Sequence, residues 1–229
     1  MHQGIVAVGR PPAELPFESL VADRPDLIVA LDGVTDPRNA GAVFRSAEAA
    51  GAGAVLVGRD RAPGLSPALV KAAAGAVEWL PVARVTNLAR ALEGLSEARY
   101  WLIGLAGDAD RDLYDVSATP GLPLVLIVGS EGTGLRPIVR RACHRLLRIP
   151  MRGRTESLNV SVAAAVSLAR AVERRVVERG RHGDLGEAEA AALRERFYVL
   201  AVKQRARIAK AARVAERTAA RARPAPDRE

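Results

Sequence analysis

The sequence predicts an α/β fold built on an open, mostly parallel sheet, followed by a basic helical C-terminal extension. Three observations lead there. Short apolar runs of strand length alternate with alanine-rich stretches at helical spacing, and this alternation favours parallel strands joined by helical crossovers. Clusters of Gly, Pro, Asp and Asn punctuate the boundaries. After Gly180 the pattern changes to a turn-rich break, Gly180 to Gly186, and then to a long basic helical pattern.

Taken in order, strands are expected near Leu27–Asp32, Ala54–Val57, Val77–Val82, Trp101–Ala106, Leu124–Gly129 and Arg145–Ile149. Each is a β-branched or leucine-rich run short enough for a buried strand. Helices are expected at about Pro37–Ala50, Ser66–Ala73, Val85–Leu92, Arg136–Ala142 and Leu158–Glu178. Asp36 before Pro37 is a plausible N-cap with proline at the first helical position, and Ser157 is a natural N-cap for the last helix. Residues 1–22 read as a linker-like segment, 23–179 as the main domain and 180–229 as the extension.

At 229 residues the chain buries one substantial core. The single cysteine, Cys143, excludes an internal disulfide, and the sequence shows no secretory h-region and no apolar run long enough to span a bilayer. A cytoplasmic location is expected. The formal charge of +8 favours a polyanionic partner. His2, His144 and His182 are scattered without acidic or cysteine partners at metal spacing, so no metal is expected and packing or surface roles suit them better. The glycine loop at 129–134 ends without the Lys-Ser/Thr of a P-loop and lacks the G-x-G-x-x-G order of a dinucleotide fingerprint.

Three segments concentrate chemistry at strand ends, where ligands gather in open α/β sheets. The first runs from Leu31 to Gly51 and holds Asn39 and Arg45. Six residues apart, these two lie about 120° from one another on a regular helix. The second, Leu124 to Leu135, empties a buried strand into a loop with glycines at 129, 132 and 134, where backbone can approach a ligand closely. The third, Ile149 to Ala163, joins a strand end to a helix through Glu156-Ser157-Leu158-Asn159. Ser157 and Asn159 either bind a ligand there or only cap and turn the chain.

Together and in this order the three segments resemble the signature motifs of the SpoU/TrmH family of 2′-O-ribose RNA methyltransferases, in the SPOUT superfamily. The stretches His2-Gln3-Gly4-Ile5 and Val85-Thr86-Asn87-Leu88-Ala89 look most like the bacterial 23S ribosomal RNA guanosine branch. Members of that branch usually carry a small RNA-binding domain ahead of the His-Gln-Gly stretch, where this chain begins. The resemblance implies a C-terminal trefoil knot in the domain 23–179, S-adenosyl-L-methionine (AdoMet) as cofactor, RNA as substrate and a homodimer. Ribosomal RNA is favoured, a transfer-RNA enzyme is the alternative, and a non-catalytic RNA-binding or ribosome-assembly factor is the second.

The implied reaction is attack of a ribose 2′-hydroxyl on the cofactor methyl. By resemblance Asn39, Arg45, Glu131, Ser157 and Asn159 form the catalytic set, while Ile127, Val128, Gly129, Gly132, Gly134, Ile149, Met151, Leu158 and Asn159 shape the cofactor pocket. Guanidinium stays protonated at ordinary pH, which favours Arg45 as binder of the target phosphate and stabiliser of developing charge; direct proton abstraction stays open. An ion pair with Glu48 is the bland alternative for Arg45. Glu131 orients the target or Asn39, or faces solvent. Arg152 and Arg154 are candidates for RNA phosphate contacts. In the extension, eight Lys/Arg stand against the single acid Glu216 between Phe197 and Arg223. Lys203, Arg207, Lys210 and Arg217 on its basic face are expected to bind phosphates, unless the face is merely solvated.

Overall fold

The computed structural model describes residues 14–60, 62–115 and 123–179, with isolated positions at 188, 191, 192 and 195. The chain divides into two units, 1–178 and 179–229. The proposed RNA-binding positions Lys203, Arg207, Lys210 and Arg217 lie outside the described residues, as do His2 and His182.

In chain order the elements of the first unit are helix α1 (Phe17–Asp23), strand β1 (Leu27–Asp32), α2 (Pro37–Ala49), β2 (Ala54–Gly58), α3 (Pro67–Ala73), a 3-10 turn at Ala76–Glu78, β3 (Val82–Val85), α4 (Leu88–Glu97), β4 (Trp101–Leu105), β5 (Arg111–Asp112), β6 (Leu124–Gly129), α5 (Pro137–Ala142), β7 (Arg145–Arg148) and α6 (Val160–Arg179). All seven strands join one sheet in the order β3-β2-β1-β6-β4-β7-β5, and every ladder is parallel. The expected parallel α/β sheet is therefore present. Strands β1 and β6 lie side by side from Leu27 opposite Leu124 to Asp32 opposite Gly129. Between them the chain order reverses, which makes their carboxyl ends the topological switch point.

Burial follows the two-residue period of a strand. Leu124, Leu126 and Val128 of β6 pack on one face with Phe44, Leu69, Val160 and Leu168. Val125 and Ile127 pack on the other with Leu92, Tyr100 and Leu135. Helix α2 turns Ala40, Val43, Phe44 and Ala47 inward, and its Gly41 lies so close to α3 that a Cβ would stand 2.5 Å from the Leu69 carbonyl oxygen.

The short strand β5 was not expected, and four larger departures from the sequence reading each have a local reason. Val77–Val82 is not a strand: Ala74 (φ 50°) and Gly75 (φ 92°) turn the chain into the 3-10 turn, and β3 starts only after Pro81. The helix expected from Val85 begins at Leu88, because the Asn87 side chain caps it through the Arg90 N–H, and it runs on to Glu97. The last helix begins at Val160 and not at Leu158. Its cap is Asn159, whose Oδ1 accepts from the Ser161 backbone N–H, so Ser157 is not the N-cap. Helix α1 falls within the segment read as linker-like and buries Leu20 completely.

Candidate active site

The ends of four strands, β4, β5, β6 and β7, and the segments that follow them enclose a cleft of about 850 Å³ at the carboxyl edge of the sheet. Its apolar wall is Leu105 from the end of β4, Val128 from β6, Leu147 from β7, and then Ile149, Met151 and Leu158. Gly129, Gly132 and Gly134 supply backbone on one side. The loop 130–134 is closed by two backbone bonds between Ser130 and Gly134, at 3.0 and 3.1 Å, with Gly132 and Gly134 at φ 85° and 66°. Only glycine adopts such angles without strain.

Loop and strand are packed tightly. A Cβ at Gly129 would sit 2.3 Å from the Gly134 carbonyl carbon, so glycine is required at 129 to let the loop fold back. At Gly107 and Gly132 no atom lies within 4 Å of a Cβ position, and both residues face the cleft. The volume, the apolar wall and the exposed backbone of these glycines suit a small organic molecule of AdoMet's size and mixed polarity.

The polar rim joins all three sequence segments. Asn39 Nδ2 donates to Glu131 Oε1 at 2.6 Å, Asn159 Nδ2 donates to the same oxygen at 2.9 Å, and Asn159 Nδ2 also reaches Asn39 Oδ1 at 3.1 Å. These contacts span 92, 28 and 120 residues of sequence. Asn39 is held there by its helix start, where Asp36 Oδ1 accepts from the backbone N–H groups of Arg38 and Asn39.

Most of the expected site residues meet at this cleft: Val128, Gly129, Glu131, Gly132, Gly134, Ile149, Met151, Arg152, Ser157, Leu158 and Asn159 all line it. Ile127 does not. It is fully buried in the core on the sheet's other face, as its position one residue from Val128 dictates. Arg45 is exposed on the outer side of α2 and is absent from the cleft wall and from the Asn39–Glu131–Asn159 cluster. Among the described residues it forms no ion pair with Glu48, so that alternative is not realised. Arg154 is exposed and stands off the wall.

Leu105, Ala106 and Gly107 were missed as wall residues, although they follow an expected strand and the strand-end rule applies to them equally. Asp112 and Arg148, paired at 2.6 Å, close another side. His144 stacks on Trp101 at 4.7 Å, accepts from the Leu102 N–H through Nδ1 and meets Ser96 Oγ through Nε2. That is a packing role. Among the described residues no group of three or more His, Cys, Asp or Glu side chains is placed to hold a metal ion, and no helix is long and apolar enough to cross a membrane.

Fold and cleft define the class: an α/β protein with a parallel sheet and a cleft at the carboxyl ends of β4, β5, β6 and β7. A model described as the SpoU rRNA Methylase family matches residues 26–169, and the chain belongs to that family. It is 47% identical over 184 residues to the Pseudomonas putida protein named 23S rRNA (guanosine-2′-O-)-methyltransferase RlmB, covering 78% of this chain and 73% of that one. Among solved structures it is similar to the SpoU methyltransferase AviRb from Streptomyces viridochromogenes, with TM-score 0.65 and 30% identity over 75% of this chain and 67% of that one. It is also similar to an AdoMet-bound rRNA methyltransferase from Sinorhizobium meliloti, with TM-score 0.64 and 29% identity over 71% and 61% of the two chains.

Proposed function

We propose that this protein is an AdoMet-dependent 2′-O-ribose methyltransferase of ribosomal RNA, with a 23S rRNA guanosine as target. The observation that carries this reading is the junction of Asn39, Glu131 and Asn159 at the rim of an AdoMet-sized cleft, in a chain 47% identical to a relative of that name. When bound, AdoMet supplies a methyl group activated on a sulfonium. Gly129, Gly132, Ile149, Met151 and Leu158 would hold it, largely through backbone and apolar contacts.

The chain's polar residues then act on the RNA. Asn39 and Asn159 orient the target ribose, and Ser157 fixes the turn that carries Asn159. Arg45, on the exposed side of α2, engages the target phosphate through its planar guanidinium, and the family resemblance implies that it also steadies charge developing on the ribose oxygen. Arg152 on the cleft wall and Arg154 off it, both exposed, contact flanking phosphates. The basic extension with Lys203, Arg207, Lys210 and Arg217 adds further contacts. A cytoplasmic homodimer with a trefoil knot through the second and third segments completes the reading, as the family resemblance implies.

Mapping 2′-O-methylated positions in total ribosomal RNA from cells with and without the protein tests the proposal. One guanosine of 23S rRNA should lose its methyl group in the deletion and regain it with the purified protein and AdoMet. An unchanged methylation map overturns it.

A further inference from the structure

We propose that Glu131 is the proton acceptor for the ribose 2′-hydroxyl, acting through its Oε2. This rests on the methyltransferase reading above and adds the group that the reading leaves unnamed. The direction of the hydrogen bonds at the rim carries the inference. Asn159 Oδ1 lies 2.9 Å from the Ser161 backbone nitrogen and 2.6 Å from Ser161 Oγ. A backbone N–H only donates, so Oδ1 is fixed as an acceptor and Nδ2 must point the other way.

From there the polarity propagates. Asn159 Nδ2 donates to Asn39 Oδ1 and to Glu131 Oε1, which obliges Asn39 to turn its own Nδ2 toward Glu131 Oε1. One backbone N–H at the start of α6 thus sets a chain of donors that ends on a single carboxylate oxygen. With two N–H groups on it, Oε1 is an acceptor, and the proton-accepting position that remains is Oε2. Among the described residues Oε2 takes no hydrogen bond, and Glu131 lines the cleft together with Ser157 and Leu158.

Other groups are less suited. The amides of Asn39 and Asn159 do not take up protons near neutrality, and Arg45, which stands off the cleft on the exposed side of α2, carries a guanidinium that donates and does not accept. Asp112 is engaged by Arg148. Glu156 is a second carboxylate on the wall, but it stands exposed without donors to fix it among the described residues.

In the step, the ribose 2′-oxygen forms its bond to the methyl carbon while the carbon–sulfur bond breaks and sulfur keeps the electron pair as a neutral thioether. The hydroxyl proton passes to Glu131 Oε2 and later to water. A cation and an anion become two neutral groups, so charge and atoms balance.

Glu131→Gln is a close probe, because its Oε1 can still accept from both asparagines while the free position loses its basicity. With ribosomal RNA from cells lacking the protein and radiolabelled AdoMet, the single-turnover rate should fall by roughly 100- to 1,000-fold, the usual contribution of a positioned base. AdoMet affinity by calorimetry should stay within about threefold, since a binding role is not proposed for Glu131. Glu131→Ala should regain rate with added formate but not with formamide, which can accept the same hydrogen bonds and cannot accept the proton. Equal rescue by both compounds, or a Glu131→Gln rate within a few-fold of wild type, overturns the inference alone. A wild-type protein that transfers no methyl overturns the function reading beneath it.

Discussion

Asp32, at the carboxyl end of β1 and only 1% exposed, holds Arg136 from a position 104 residues earlier in the chain. The Arg136 backbone N–H donates to Oδ2 at 2.8 Å and its Nε donates to Oδ1 at 2.5 Å. Asp32 also stands opposite Gly129 in the β1–β6 ladder. The glycine loop is therefore pinned at both ends: by the strand at Gly129 and by the buried carboxylate just after Leu135.

This clasp makes an asymmetric prediction. Arg136→Ala leaves a buried carboxylate with one backbone donor and no countercharge, and should lower stability by about 3 kcal/mol, the low end for breaking a buried pair. Asp32→Asn should cost less, because the Arg136 side chain is 35% exposed and water can take over its charge. Urea unfolding of both variants measures the difference. Both should also weaken AdoMet binding, because the loop 130–134 loses its anchor.

At Gly129 the packing of the loop on β6 leaves no room for a side chain. A side chain there would meet the backbone of Gly134 and Leu135, at 2.3 and 2.5 Å, before it reached the cleft. Gly129→Val should therefore push the loop off β6, and both AdoMet affinity and thermal stability should fall together. Gly132→Ala meets no atom but sits at φ 85°, so it should cost about 1 kcal/mol and reduce affinity more gently. Parallel calorimetry and thermal melting separate the two.

What was legible in the sequence is what short-range rules govern. Continuous apolar runs marked β1, β2 and β6, and Asp36-Pro37 marked the start of α2. The three polar segments of the site were legible as residue types at strand ends. Their mutual bonding was not, since Asn39, Glu131 and Asn159 are brought together only by the β1–β6 pairing and the fold-back of the third segment. The 3-10 turn at Ala76–Glu78 escaped because Val77, Leu80 and Val82 read equally well as strand until two consecutive positive φ angles turn the chain away. Helix α1 escaped because seven residues hold too short a period to show against a proline-rich background. Ile127 was misplaced for a different reason: the run Ile127-Val128-Gly129 was assigned to one ligand face, whereas neighbours on a strand face opposite sides.

Cys143 gives a pH prediction. Burial, reinforced by the negative charge of Asp32, pushes its thiol up to about 12, above the ordinary thiol range. The folded state thus keeps the proton where the unfolded chain releases it near 9. The resulting stability is fully present below that value and is lost as pH rises from about 9 through 12. Cys143→Ala should flatten this alkaline decline in urea titrations while leaving the neutral range shallow in both proteins. A thiol reagent should label native Cys143 only slowly at neutral pH.

Arg45 stands on the exposed side of α2, apart from the cleft proposed to hold AdoMet, so its substitution should separate binding from chemistry. Arg45→Ala should abolish methyl transfer while AdoMet affinity stays within a few-fold. Arg45→Lys should also be poor, because an ammonium keeps the charge and loses the planar fork that engages two oxygens at once. Filter-based methyl incorporation beside cofactor titration reads both quantities. Wild-type incorporation by the alanine variant would remove Arg45 from the reaction.

The proposed RNA contacts fall on Arg152 and Arg154 and on the extension, and salt dependence apportions them. Each phosphate contact displaces counterions, so losing one should flatten the log–log fall of affinity with salt by roughly 0.7–0.9. Arg152→Gln with Arg154→Gln should reduce the slope by about twice that amount if both exposed arginines touch phosphate. A chain ending at Gly180 should reduce it further through the loss of Lys203, Arg207, Lys210 and Arg217. AdoMet affinity should hold constant throughout, since none of these substitutions removes the apolar wall. Binding measured across a salt series for the three proteins decides how the load is shared. An unchanged slope for the shortened chain would assign RNA binding to the catalytic unit alone.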